Sequence, residues 1–154
     1  MGKRAMAGLT DADKLMFADF MDWVNGLRHD KGNACFRFND QAFQSFLRDE
    51  GISLRQCSKP ISKSVRGKNV IKYNCRKSAV GDLARHIRNA FAHSRIIKSG
   101  GFFVMHDAYK AKGQGVETLT MRGRVAVGVM PGLLAAIQAN RQLRGRQAVQ
   151  GDPA

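Results

Sequence analysis

From Gly51 to Gly81 the chain contains no acidic residue, although Arg55, Lys59, Lys63, Arg66, Lys68, Lys72, Arg76 and Lys77 all fall there. Nothing in the sequence of that segment neutralises its charge locally. Cysteine is also scarce. Cys35, Cys57 and Cys75 are odd in number and widely spaced, and no CxxC pair exists, which excludes a disulfide framework and a zinc ribbon. The spacing predicts reduced, mostly buried thiols. Long apolar runs are absent too. The most apolar late segment, Val125–Ile137, is broken by Gly128, Pro131 and Gly132, so no membrane span is predicted. The N-terminal stretch MGKRAMAGLTDADK has basic residues with no apolar core behind them, which is not the pattern of a secretion signal. The expected location is cytoplasmic.

What the chain has in excess is positive charge. Twenty-six Lys and Arg against 12 Asp and Glu leave a net +14 over 154 residues. A polyanionic partner such as nucleic acid is the expectation from such a balance. The excess is concentrated in residues 51–98, where 12 basic residues face Asp82 alone. The length suits one domain over residues 1–144, with residues 145–154 as a disordered tail.

Periodicity orders the rest. Thr10, with Asp13 three residues on, opens a helix whose apolar stripe is Leu15, Met16, Phe20, Trp23, Val24 and Leu27. Asn39 is placed to cap a second helix with Phe43, Phe46 and Leu47 inward and Gly51 as its stop. Ser58 and Pro60 would start a short basic helix through Arg66. The segment VIKYNC reads equally as a strand or as a helix lead-in. Ser78 caps a helix over Ser78–Ile97, FFVMHDAY alternates like a strand, and ETLTMRG with VAVGV returns it as a hairpin. Pro131 opens a closing helix. The predicted fold is therefore mainly α, a helical bundle with a small antiparallel β-hairpin before the C-terminal helix.

On the Ser78–Ile97 helix, Leu83, Ile87, Ala90, Phe91 and Ser94 share the core-facing arc, at about 100° per residue. The opposite arc carries Arg85, His86, Arg88, Asn89, Ala92, His93 and Arg95. Asn89 and His93, four apart, can touch. Arg88 and His93 lie about 140° from each other on a straight helix. With the small Ala92 between them, that gap points to a site completed by a second copy of the helix, and so to a homodimer. His86 reads as a surface neighbour of His93. His29 and His106 read as structural or solvent-facing.

The stretch Arg88-Asn89-Ala90-Phe91-Ala92-His93 resembles the signature of the HEPN superfamily: an arginine, a polar residue that is often asparagine, three further residues, then histidine. The order of a histidine-ending helix, a hairpin (Phe102–Tyr109 and Thr118–Val129) and a closing helix is similar to a plasmid- and phage-associated HEPN family. The resemblance implies a helical bundle, usually dimeric, and in many members a metal-independent endoribonuclease of toxin or phage-defence type. By that resemblance His93 would be the general acid/base, Arg88 would hold the scissile phosphate, and Asn89 would orient the histidine or bind phosphate. Chemistry supports these residue types independently. Imidazole suits proton transfer near neutral pH, and a planar guanidinium grips phosphate through two donors. RNA would be bound by Arg85, Lys59, Lys63, Arg66, Lys68, Lys72, Arg76 and Lys77. No metal or other cofactor is expected, since Asp82 is the lone carboxylate near the signature. The alternative is a catalytically inactive HEPN-type module that binds RNA or a protein. An antitoxin or regulatory protein is a possible further partner.

Overall fold

In the computed structural model, residues 8–27, 34–57, 61, 67–110, 113 and 115–143 are described. Helix α1 spans Asp11–Gly26, strand β1 Ala34–Cys35, helix α2 Gln41–Glu50, and strands β2 and β3 Ser53–Gln56 and Val70–Tyr73. Helix α3 follows over Ala79–Ala92, then β4 Ile96–Ser99, β5 Phe102–Lys110, β6 Glu117–Ala126, helix α4 Met130–Asn140 and β7 Gln142–Leu143.

The mainly α bundle expected from the sequence is not what forms. Among the described residues four helices accompany a five-stranded mixed sheet in the order β2-β3-β6-β5-β4, with β1 and β7 as a separate antiparallel pair. The predicted hairpin is present as β5 and β6, and it is the centre of the larger sheet. β3 pairs antiparallel with β6, β4 pairs antiparallel with β5, and β2 adds to β3 in parallel. A strand of four residues is too short to show a period of two, so these additions left little trace in the sequence. They are set by pairing with a distant edge.

The central helix is also shorter than expected. Ser78 caps it by accepting from the Gly81 amide at 3.0 Å, and the helix stops at Ala92 instead of Ile97. Ser94 turns left-handed at φ 58°, and the Arg95 amide donates back to the Ala90 carbonyl at 2.7 Å. That six-to-one bond closes the last turn, and glycine is the usual residue at such a position. The β-branched Ile96 and Ile97 then continue as strand β4.

Elsewhere local signals hold with small changes. Thr10 and Asp13 form a reciprocal capping box. α2 is capped by Asp40 rather than by Asn39, and it ends on the left-handed Gly51. Leu15, placed on the apolar stripe of α1, is 62% exposed. The closing helix ends at Asn140, whose side chain clamps both main-chain polar groups of Arg37 at 2.8 and 2.7 Å. The three cysteines are half-buried thiols, not fully buried ones. The basic helix expected over 58–66 lies outside the described residues except for Ile61, as do His29 and the tail 145–154.

The core lies between the helices and one face of the sheet. Ile71, Tyr73, Phe103, Met105, Met121 and Val125 bury that face against Leu83, Ile87, Ala90 and Phe17. Phe17 meets Phe103 edge-on at 5.2 Å and stacks on Phe91 at 5.7 Å. Because side chains alternate along β5, Phe103, Met105 and Asp107 share this face. Two of the three belong to a core. The third is a carboxylate and requires a partner.

Candidate functional site

That partner is His86. From the inner side of α3 its Nδ1 lies 2.9 Å from Asp107 Oδ2, and its Nε2 lies 2.9 Å from the Asn74 carbonyl oxygen. A carbonyl can only accept, so Nε2 carries a proton. Nδ1 and Oδ2 face each other at hydrogen-bonding distance, so both ring nitrogens are engaged. His86 is therefore not a surface neighbour of His93: it is 4% exposed, and its ring packs edge-on against Tyr73. A sequence signal for this existed. Position 86 lies three residues after Leu83 and four before Ala90, on the flank of the apolar stripe. Asp107 carried a matching one, as a charge at a core-facing parity of its strand.

A polar chain runs outward from this pair. Asn89 Nδ2 donates to Asp107 Oδ2 at 3.2 Å, Arg88 Nη1 donates to Asn89 Oδ1 at 2.8 Å, and Arg88 Nε donates to Asn25 Oδ1 at 2.9 Å. The remaining Asp107 oxygen accepts from the Ala108 amide at 3.0 Å. The asparagine and arginine of the six-residue motif are thus joined to a buried His–Asp pair. They also fasten α3 to both α1 and β5.

An open cleft of about 440 Å³ sits over this network, lined by Asn74, Arg76, Arg85, His86, Asn89, His93, Asp107, Ala108, Tyr109 and Thr120. Of the residues singled out in the sequence, it brings together Asn89, His93, Arg85 and Arg76. Arg88 lies in a neighbouring cleft with Asn25, Val24, Leu27 and Gly81, and Asn89 and Arg85 line both. His93 ends α3, with its amide bonded to the Asn89 carbonyl at 3.0 Å and its side chain exposed. Lys68 and Lys77 are exposed outside the cleft, and Lys72 is half-buried on the opposite side of β3 from Ile71 and Tyr73. Lys59, Lys63 and Arg66 lie outside the described residues.

The cleft floor has an unused acceptor. Asn74 is 7% exposed; its Nδ2 donates to the Cys57 carbonyl at 2.8 Å, yet its Oδ1 has no partner among the described residues. A buried carbonyl without a donor costs about 1–3 kcal/mol, which a ligand donor such as a hydroxyl or an exocyclic amine would offset. The rim is set by Asp82. Its Oδ2 accepts from the Arg76 and Lys77 amides at 2.6 and 2.9 Å, and Oδ1 lies 3.4 Å from Arg85. Burial pushes the Asp82 carboxyl up, but those two amides and Arg85 outweigh it and hold the group below the usual range. One buried carboxylate therefore fixes the main chain at Arg76 and Lys77 and pairs with the Arg85 guanidinium.

Among the described residues no cluster of three or more His, Cys, Asp or Glu is placed to hold a metal ion, and no helix is long and apolar enough to cross a membrane. No family model, curated protein or solved structure matches the chain.

Proposed function

We propose that this protein is a metal-independent endoribonuclease that cleaves RNA by attack of a 2′-hydroxyl on the adjacent phosphate. One observation carries the reading: the exposed imidazole of His93 shares a single cleft with Arg76, Arg85 and the exposed ring of Tyr109. Those are the groups that such a cleavage uses. His93 takes the proton of the 2′-hydroxyl as its oxygen bonds to phosphorus. Arg76 and Arg85 stabilise the charge gathering on the phosphoryl oxygens. The bond to the 5′-oxygen breaks, and that oxygen takes a proton from solvent, leaving a 2′,3′-cyclic phosphate and a 5′-hydroxyl. Tyr109 offers a face for a base flanking the cut.

In this scheme Arg88 and Asn89 are positioning residues. Two of the guanidinium nitrogens of Arg88 are bonded to Asn25 and Asn89, so the phosphate falls to the arginines already in the cleft. A second copy meeting at Ala92 is compatible with the scheme and not required by it, since the cleft of one chain already brings His93 together with Arg76 and Arg85. The HEPN resemblance rests on the six-residue motif and, more loosely, on the order of a histidine-ending helix, a hairpin and a closing helix.

The test is cleavage of a single-stranded RNA in EDTA. His93→Ala should slow it by about 10²–10⁴-fold, with RNA affinity nearly unchanged and with 5′-hydroxyl ends on the wild-type products. Cleavage that persisted in His93→Ala would end this assignment. The second reading, a non-catalytic RNA-binding module built on the same cleft, is favoured by the placement of Arg88 away from His93; it requires that the wild type cut nothing.

A further inference from the structure

The sheet has a second face, turned away from α3, and a row of basic residues crosses it. In the strand register Arg55 lies opposite Lys72, Lys72 opposite Arg122, and Arg122 opposite His106. The His106 amide then donates to the Arg95 carbonyl at 3.2 Å, just ahead of β4. Five basic residues therefore stand side by side, one for each strand position. Their neighbours Ile71, Tyr73, Met105, Asp107 and Met121 are buried on the helix side, whereas Arg55 is exposed and Lys72, Arg122, His106 and Arg95 are half-buried.

Like charges directly opposite each other in a sheet are destabilising. Among the described residues, none of Arg55, Lys72 and Arg122 is paired with a carboxylate. Glu117 answers Arg95 at 2.8 Å, yet Arg95 Nη1 is buried without a partner among the described residues. The next arginine along β6 behaves differently. Arg124 is committed to the Gly67 carbonyl at 2.8 Å and lies over the Phe102 ring at 3.7 Å. That guanidinium occupies one face of the aromatic ring on this side of β5, so the row offers charge and few stacking surfaces. The field is felt locally: burial first, then Arg95 and Arg122, push the His106 imidazole down against the opposing pull of Glu117 and Asp107.

We propose that this row, Arg55–Lys72–Arg122–His106–Arg95, is a second RNA site that grips the sugar–phosphate backbone of a single strand without reading its bases. It rests on the RNA reading above for the identity of the polyanion, and it names a surface separate from the cleft. Four strand spacings of about 4.8 Å make a row of roughly 19 Å. A linear, evenly spaced array fits a linear polyanion. The row also borders the cleft through the backbone, because His106 in the row and Asp107 in the cleft are consecutive residues on opposite faces of β5.

The experiment uses the full chain and a labelled single-stranded RNA bearing 2′-O-methyl groups, which cannot be cut by 2′-hydroxyl attack. Fluorescence anisotropy is measured over a salt series. The salt slope for single strands is about 0.7 per neutralised phosphate. Lys72→Gln combined with Arg122→Gln should therefore lower the slope by about 1.4, and Lys72→Arg alone should leave it at the parent value. Thermal melts verify that the variants fold; a variant that fails to fold is replaced by Arg55→Gln, with an expected drop of about 0.7. A parent-like slope in the folded double variant overturns the proposal. Competition by polyglutamate as effective as that by RNA at matched charge overturns the assignment to RNA. If the slope falls but the wild type cuts no RNA, the row stands and the nuclease reading fails. If His93→Ala abolishes cleavage while the row variants bind like the parent, the reverse holds.

Discussion

His86 and Asp107, 21 residues apart in the chain, meet inside the protein with Nδ1 2.9 Å from Oδ2 and side chains 5% and 7% exposed. This pair links the central helix to β5, and the polar chain through Asn89, Arg88 and Asn25 hangs from it. Breaking a buried pair from one side leaves the other member without compensation, typically at about 3–5 kcal/mol.

His86→Ala should therefore lose about 3–5 kcal/mol in denaturant unfolding. Asp107→Asn should lose much less, about 1.5 kcal/mol or below. An asparagine amide can donate to Nδ1 while Nε2 still donates to the Asn74 carbonyl, and the loss is the bond from Asn89 Nδ2. Nitrogen chemical shifts of the ring report the same contrast: the asparagine variant should show the Nε2–H tautomer alone. Equal losses in the two variants would mean that a neutral amide cannot take the place of the carboxyl beside Nδ1.

The role of Arg88 can be separated from that of the cleft. If it acts through Asn89, a double-mutant cycle of Arg88→Ala and Asn89→Ala should give a coupling of about 0.5–3 kcal/mol in stability. The cleavage defects of the two single variants should then resemble each other. Arg88→Ala that impaired cleavage with no coupling to Asn89 would instead assign Arg88 to the phosphate.

Acid stability should follow Asp82. Burial raises its folded-state carboxyl, but the Lys77 and Arg76 amides and Arg85 outweigh that and hold it below the ordinary value of 3.8. A depressed carboxyl adds stability above the unfolded value. That stability drains as the pH falls from about 3.8 through the folded value, where the unfolded chain binds more protons. Asp82→Asn should cost about 1.5–3 kcal/mol at neutral pH and flatten the acid limb of the unfolding curve. An acid limb as steep as the parent's would place the titration elsewhere.

Local chemistry wrote a good part of this fold into the sequence. The Thr10–Asp13 capping box, the Ser78 cap, the Gly51 stop, the β5–β6 hairpin and the proline at the start of α4 depend on neighbours a few residues away, and each was legible. So were the excess of positive charge and its concentration between residues 51 and 98. The sheet was not legible. β2, β3 and β4 have four residues each, and pairing with a distant edge decided that they are strands. Ser94 ended the central helix early by adopting a left-handed turn that its identity does not announce. The same nonlocal pairing put Asp107 under His86, made an apparently solvent-facing histidine a core residue, and aligned Arg55, Lys72, Arg122, His106 and Arg95 in one row. Sequence patterns determine which residues prefer to be buried or charged. Only the tertiary structure, by setting strand register, decides which of them stand opposite one another.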